Sequence, residues 1–190
     1  MKFPAAREAG AAATVDAKDP DAAKALQQIA GGPLYGAIDL VNTELVQSGK
    51  RVDLLAGPDD LRDWLLASGL LPRTDRLPSR VVKEALPCMR EYRGHLRTGL
   101  EALSQGGDLP PAVRNLTNRL LAAHPQTLRL TRKVGRWRLS RELRPLSGEA
   151  LCALLALSFA EFLAKAEPGR IRRCQNADCI LFFYDISKSG

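Results

Sequence analysis

The feature that most constrains the fold is a long apolar stripe between Ser79 and Ser104. Its large apolar residues recur at intervals of three and four positions, which is the spacing of one face of an α-helix. We therefore expect one long helix, and we expect Pro87 to kink or divide it, because proline removes a backbone donor and crowds the preceding turn. The stripe consists of Val82, Ala85, Leu86, Met89, Tyr92, Leu96, Leu100 and Leu103.

Shorter segments with the same spacing predict further helices on both sides. Pro58 suits the first turn of one of them, and Gly69 can end it in the left-handed conformation. Ser147 can cap the last helix, which should end near Ala166. The predicted helices cover residues 21–30, 34–46, 58–69, 79–104, 108–123 and 147–166.

The stretch TLRLTRKVGRWRLSREL has a period of two instead, which is typical of β-strands. Gly135 marks the turn of a β-hairpin near residues 127–141. We expect the leucines and Trp137 to cover the core with one face of this hairpin, while arginines on the other face point to water. The fold class is therefore mainly α, of the α+β type, with one hairpin and a cysteine-bearing tail.

Size and hydropathy limit the class of protein. A chain of 190 residues that is 45% hydrophobic can bury one principal core. The most apolar run, residues 150–160, is shorter than the roughly 20 residues that cross a bilayer. Residues 1–19 hold no apolar stretch of the kind that a secretory signal needs. We therefore expect a cytoplasmic protein without a membrane segment.

The formal net charge of +7 favours an acidic partner such as nucleic acid. The arginines that produce this charge are spread over several predicted elements, and a solvated basic surface is the simpler interpretation. The sequence contains no paired carboxylates in a suitable motif, no nucleophile beside a convincing base and no glycine-rich phosphate loop. His95 and His124 are each isolated, so that packing explains them. We therefore do not expect an enzyme.

Cys174 and Cys179 are the strongest candidates for metal ligands. The four residues between them favour a tight turn, and the following ILFFY favours a strand packed on the hairpin or the domain. Structural zinc sites take four ligands, usually as two such pairs, so this pair provides one half. Cys88 and Cys152 lie on apolar helical patterns, and in a cytosolic chain we expect them to be buried core residues rather than parts of a disulfide framework.

A polar group interrupts the apolar pattern of residues 34–46. Asp39, Asn42 and Thr43 lie three and four positions apart, on one face of the predicted helix. Buried polar groups need partners, so we expect Asp39 to accept a hydrogen bond from Arg90 and Asn42 to bond a neighbouring backbone. Such a polar clasp between two helices is the favoured interpretation. The alternative is a small-molecule pocket lined by these residues and Tyr92.

The tail CQNADCILFFYDISKSG resembles the first half of the CGNR zinc finger, in which a Cys-x4-Cys pair, an aromatic residue and a D-x-S stretch precede a basic segment. Upstream, AIDLVNTELV is similar to the LDFxNT motif of the companion ABATE-type domain, DLRDWLLASGLL resembles its second helix, and ALPCMREYRGHL resembles its LRE-containing helix. The resemblance covers nearly the whole chain from about Pro33. The family's second cysteine pair and its Cys-Gly-Asn-Arg segment do not occur in this sequence. Two explanations are open: the finger is truncated, or this protein has lost it.

Members of this family are regarded as bacterial stress-responsive transcription regulators, with the zinc finger as the DNA-binding part. The resemblance implies a tail at residues 1–20, an ABATE-like domain for sensing or dimerisation at residues 21–169, and the first half of the finger at residues 170–190. Zinc is the implied cofactor, in a site that Cys174 and Cys179 leave incomplete.

DNA is the implied partner of the complete protein, and this chain alone should bind it weakly, because few phosphate contacts remain. The alternative is a stand-alone module that binds a small-molecule effector or another protein without binding DNA. A homodimer is compatible with both hypotheses. The candidate phosphate contacts are Arg170, Arg172, Arg173 and Lys188.

Overall fold

The computed structural model describes residues 35–71, 77–125, 127–142 and 146–187. The predicted N-terminal tail and the helix predicted at residues 21–30 lie outside these ranges. The helices are α1 (Gly36–Val41), α2 (Pro58–Ala67), α3 (Ser79–Ser104), α4 (Pro111–Ala123) and α5 (Gly148–Lys165), followed by a 3₁₀ turn at Pro168–Arg170. The strands are β1 (Glu44–Gln47), β2 (Lys50–Asp53), β3 (Thr127–Lys133), β4 (Arg136–Glu142), β5 (Ile171–Arg173) and β6 (Phe182–Tyr184).

Helix α3 is the centre of the fold and contacts α1, α2, α4 and α5. Its bounds are those that the apolar stripe predicts, and it runs through Pro87 as one helix, so Pro87 does not divide it. The expected alternative, a kink at Pro87, stays a prediction. The predicted stripe lies in the core, and α5 supplies the largest opposing side chains. Those core side chains of α5 are Leu151, Leu155, Phe159 and Phe162.

The start of α5 is packed tightly against α3. Ser147 caps α5 as predicted, since its Oγ accepts a hydrogen bond of 3.1 Å from the amide of Ala150. Gly148 follows, and a Cβ atom at this position would lie 2.7 Å from backbone atoms of Glu84 and Ala85. Only glycine therefore allows the two helices to approach this closely.

The helix predicted at residues 34–46 is shorter than expected, and a hairpin replaces its second half. Helix α1 ends at Val41, where the Oγ1 of Thr43 donates a hydrogen bond of 2.6 Å to the carbonyl of Leu40. Strands β1 and β2 then pair around Ser48 and Gly49, which have φ angles of 50° and 74°. Leu45 and Val46 are apolar residues that a strand can hold as well as a helix can. The Ser-Gly turn that follows favours the strand.

The second hairpin, β3 with β4, forms as predicted around Gly135. We call residues 127–142 the arm. The expectation that its apolar face covers the core is wrong, because α1, α2, α4 and α5 already cover α3 and the two strands of the arm mainly contact each other. The apolar side chains of the arm are 57–66% exposed, and they are Leu128, Leu130, Trp137 and Leu139.

Cys88 and Cys152 join α3 to α5. Cys152 is a core residue as expected, whereas Cys88 is only half-buried. The two sulfur atoms are bonded to each other, with the Cα atoms 6.5 Å apart, so the expectation that these cysteines take no part in a disulfide is wrong. The two cysteines are 64 positions apart in the chain, and no local pattern signals their contact.

Among the helices that the structure describes, none is both long enough and apolar enough to cross a membrane.

Candidate functional site

The cysteine pair lies at the tip of a small hairpin formed by β5 and β6. Residues 171–184, which we call the thiol hairpin, pair antiparallel, with Arg173 opposite Phe182. The pairing continues toward the tip, because the amide of Cys174 donates to the carbonyl of Leu181 at 2.9 Å. The amide of Cys179 donates to the carbonyl of Asn176, also at 2.9 Å. These bonds fold the loop into the tight turn that the sequence predicts.

The loop brings the two thiols into contact with each other. Burial raises the pKa of Cys179 above its ordinary value, and the neighbouring Cys174 raises it further. The amide of Leu181 and the charge of Arg173 act in the opposite direction but do not outweigh these effects.

Asn42 of the LDFxNT-like motif binds the thiol hairpin directly. Its Nδ2 donates a hydrogen bond of 2.7 Å to the carbonyl of Phe182, and its Oδ1 accepts one of 2.9 Å from the amide of the same residue. Both bonds are buried. The side-chain amide of Asn42 thus pairs with β6 as a neighbouring strand would, which satisfies backbone groups that burial would otherwise leave without partners.

Apolar residues complete this contact. The side chains of Ile171 and Phe182 are 0% and 2% exposed and belong to the same core as the helices. Two positions further along β6, on the same face of the strand, the ring of Tyr184 packs edge-on against Phe162 of α5, with ring centroids 5.5 Å apart. The thiol hairpin is therefore part of the domain core and not a separately folded appendage.

Arg97 of α3 joins α1 and the thiol hairpin. Its guanidinium donates to the carbonyls of Val41 and Ile180 at 2.7 and 2.8 Å, and it lies over the ring of Phe182, 5.9 Å from the centroid. Burial lowers the pKa of Arg97, while the carboxylate of Glu44 opposes that shift. The Nε of Arg97 lies 3.3 Å from Glu44 Oε2, which is an ion-pair distance, but this nitrogen makes no hydrogen bond.

Arg93, one turn earlier on α3, organises the region beneath this contact. It donates two hydrogen bonds of 2.7 Å to Asp53 and one of 2.8 Å to the Oγ1 of Thr43, and it lies 3.1 Å from Glu44. Its side chain is only 4% exposed. The ion pairs with two carboxylates offset the cost of burying this charge.

Sequence reasoning missed Arg93 and Arg97, because it assigned the arginines to a solvated surface. The available signal was their position beside the apolar stripe of α3, one turn apart and next to Tyr92 and Leu96. A charged residue at such a position is buried only if it is paired with an opposite charge. The acidic partners of Arg93 lie on the β1–β2 hairpin, which the sequence analysis did not predict.

The residues of the predicted polar clasp make contacts that agree only in part with those expected. Arg90 donates to the carbonyls of Leu55 and Ala56 at 2.6 to 3.1 Å, and the expected bond from Arg90 to Asp39 stays a prediction. Asp39 is buried in α1. Tyr92 is bonded to Thr117 of α4 at 2.8 Å, and burial raises its pKa.

Asn42, by contrast, does bond a backbone, that of β6. The polar atoms of Asn42, Thr43 and Tyr92 are thus engaged within the fold. A small-molecule pocket at this position stays a prediction.

The basic residues proposed as phosphate contacts differ in their availability. Arg170 is bonded to Glu167 and to two carbonyls of the tail, and Arg173 lies 3.2 Å from Glu101. Arg172 is exposed on β5. Lys188 lies outside the described residues.

The thiol pair fits one half of a tetrahedral zinc site, since two cysteines on a tight turn are a common donor set for this metal. Within the described ranges, no group of three or more cysteine, histidine or acidic side chains could hold a metal ion. His124 is 3.1 Å from Glu149. Two further ligands would have to come from outside these ranges or from another molecule.

The geometry therefore defines an α+β domain whose helices hold a thiol-bearing hairpin. Residues 36–166, more than half of the chain, match the model of the ABATE family, described as "Putative stress-induced transcription regulator", and the chain belongs to this family. The match covers α1 to α5 and ends before the thiol hairpin. A comparison with curated proteins found no match.

Proposed function

We propose that this chain is a bacterial cytoplasmic transcription regulator in which the ABATE domain holds the thiol hairpin as one half of a zinc-dependent DNA-binding module. The observation that carries the proposal is the pair of buried hydrogen bonds between Asn42 and Phe182. The family motif thereby fixes the segment that bears the cysteines. A change in the helical domain would reach the thiols through this contact.

Zinc would be held by Cys174 and Cys179 together with two ligands from another segment or molecule. When bound, it supplies a structural cross-link and no reaction, because a closed four-ligand site leaves no position for substrate. The residues of this chain contribute the turn that brings the thiols together and the contacts that fix β5 and β6 on α1 and α3.

The DNA contact would use the basic residues around the thiol hairpin. Arg172 is exposed, whereas Arg170 and Arg173 have acidic partners within the fold. Few free contacts predict weak binding with a small salt slope, because each phosphate contact contributes about 0.9 to that slope through counterion release. We therefore expect little sequence-specific affinity from this chain alone.

Binding to a random-sequence DNA duplex, followed by fluorescence anisotropy over a salt series, tests the DNA part. The double variant Arg172→Ala with Lys188→Ala should weaken binding and reduce the slope of log affinity against log salt by about 1.8, which is two contacts at about 0.9 each. Arg114→Ala with Arg119→Ala, two exposed arginines of α4, removes the same charge and should leave the slope nearly unchanged. Equal effects of the two double variants, or no binding at low salt, contradict the proposed DNA contact.

Zinc titration with metal analysis tests the cysteine part. We expect at most one zinc ion for every two chains, bound only when two thiol pairs meet, and none in the variant Cys174→Ser with Cys179→Ser. Cys88→Ser with Cys152→Ser is the matched control, and its zinc content should equal that of the parent chain. Zinc binding that survives the loss of Cys174 and Cys179 would exclude the thiol hairpin as the metal centre.

A further inference from the structure

The arm concentrates most of the net charge of the protein. Residues 127–142 hold six of the 28 basic residues and one of the 21 acidic residues. The arm therefore accounts for five of the seven net positive charges, and the other parts of the chain together are close to neutral. A charge density of this kind attracts a polyanion more strongly than an evenly spread charge of the same size.

The shape of the arm separates this charge from the helical domain. Each strand has seven residues, so the ribbon is about 24 Å long at a rise of about 3.4 Å per residue. Val134, at its tip, is 96% exposed. A two-stranded antiparallel ribbon of this kind is narrow enough to enter the major groove of duplex DNA.

The register of the strands divides the basic residues between the two faces. Thr131 is opposite Arg138, and Lys133 is opposite Arg136, so these residues lie on the same face as Arg129. Four basic residues and one acidic residue share this basic face. The exposed leucines and Trp137 lie on the other face, where Arg132 stacks on the indole at 5.7 Å.

We propose that the basic face of the arm is a second DNA-binding surface, separate from the thiol hairpin, whose arginines contact the phosphates of duplex DNA. The charge complementarity between this face and the phosphate backbone selects the ligand. Only the choice of DNA as the polyanion rests on the proposed function. The arm binds independently of zinc and of the cysteine pair.

The double variant Arg129→Ala with Arg136→Ala tests the proposal in the full chain, because both side chains are exposed. Anisotropy with a random-sequence duplex over a salt series should show a slope lower by about 1.8 and an affinity about tenfold or more weaker near 0.1 M salt. The α4 pair Arg114→Ala with Arg119→Ala removes the same charge and should leave the slope nearly unchanged and the affinity within about twofold of the parent. Equal losses in the two double variants, or no duplex binding at any salt, overturn the proposal.

The same titrations separate this inference from the proposed function. Loss of binding in the arm variant, with parental binding by Arg172→Ala with Lys188→Ala, supports the arm alone and counts against the thiol hairpin as a DNA contact. The reverse result removes the arm and keeps the proposed function.

The alternative partner of the arm is a second copy of the chain, bound to the apolar face of the arm. Sedimentation analysis of the parent and of the double variant Trp137→Ser with Leu139→Ser measures this self-association. Loss of a dimer in this variant, together with parental DNA binding by the arginine variant of the arm, makes the arm a self-association surface and overturns the proposal.

Discussion

Arg93 and Asp53 form a two-pronged ion pair, in which two guanidinium nitrogens each lie 2.7 Å from a carboxylate oxygen. The pair connects the centre of α3 to the end of β2, and Arg93 also binds Thr43 directly after α1. The segment that carries the family motif is therefore held to α3 by charge as well as by apolar packing.

Asp53 should make the stability of the fold depend on pH in the acid range. Burial alone would raise its pKa, but the hydrogen bonds from Arg93 and from the amide of Leu55 outweigh burial and lower the pKa below 3.8. Because the folded state has the lower pKa, this stabilisation is present above about pH 4 and is lost as the pH falls through the folded-state pKa. Urea unfolding of the parent and of Asp53→Asn from pH 2 to 7 measures it.

At pH 7 we expect Asp53→Asn to lower the free energy of unfolding by about 1–2 kcal/mol, since Glu44 stays near Arg93 and the carboxylate is partly exposed to solvent. The difference between variant and parent should shrink toward zero in acid. A constant difference over the whole pH range would show that the charge of Asp53 is not the cause. Asp63→Asn, at an exposed position of α2, is the control and should leave the free energy of unfolding at pH 7 close to that of the parent.

Gly148→Ala should destabilise the protein, because the added Cβ would meet the backbone of α3 at 2.7 Å. Overpacking of this kind costs about 1–3 kcal/mol. Gly169→Ala is the control, since a Cβ at Gly169 meets no atom within 4 Å. Thermal unfolding of both variants tests the close approach of α5 to α3, and equal melting temperatures would contradict it.

Ser147→Ala should remove the N-cap of α5 and cost about 1 kcal/mol. Ser147→Asp keeps an acceptor for the amide of Ala150 and should retain most of the stability. Chemical denaturation of the two variants distinguishes the cap from a simple packing role. If alanine and aspartate destabilise the protein equally, the hydrogen bond to Ala150 does not stabilise α5.

Periodicity predicted the helical body well, because long helices repeat one signal over many turns. The bounds of α3, the start of α2 at Pro58 and the cap at Ser147 all follow from local rules. The arm was also predicted, together with its turn at Gly135. Its exposed apolar face was not, since a pattern of period two shows that a strand has two different faces but not which face meets the core.

The site was harder to predict, because its contacts join residues far apart in the chain. The bonds between Asn42 and Phe182 span 140 positions, and no local pattern announces them. Arg93 and Arg97 looked like surface charges because their acidic and carbonyl partners come from other segments. The cysteine pair was recognisable, since its spacing and its turn-forming neighbours are local features.

The most direct test of the account is hydrogen exchange at the amide of Phe182 in the variant Asn42→Ala, with Asn118→Ala, at an exposed position of α4, as the control. Loss of the buried acceptor should cost about 1–3 kcal/mol at this site. We predict that hydrogen exchange at the amides of Phe182 and Cys174 becomes faster by a factor of about ten or more. The exchange rates of the amides in the middle of α3 should change far less, and Asn118→Ala should behave like the parent. Unchanged protection of Phe182 in Asn42→Ala would contradict the claim that the family motif holds the thiol hairpin.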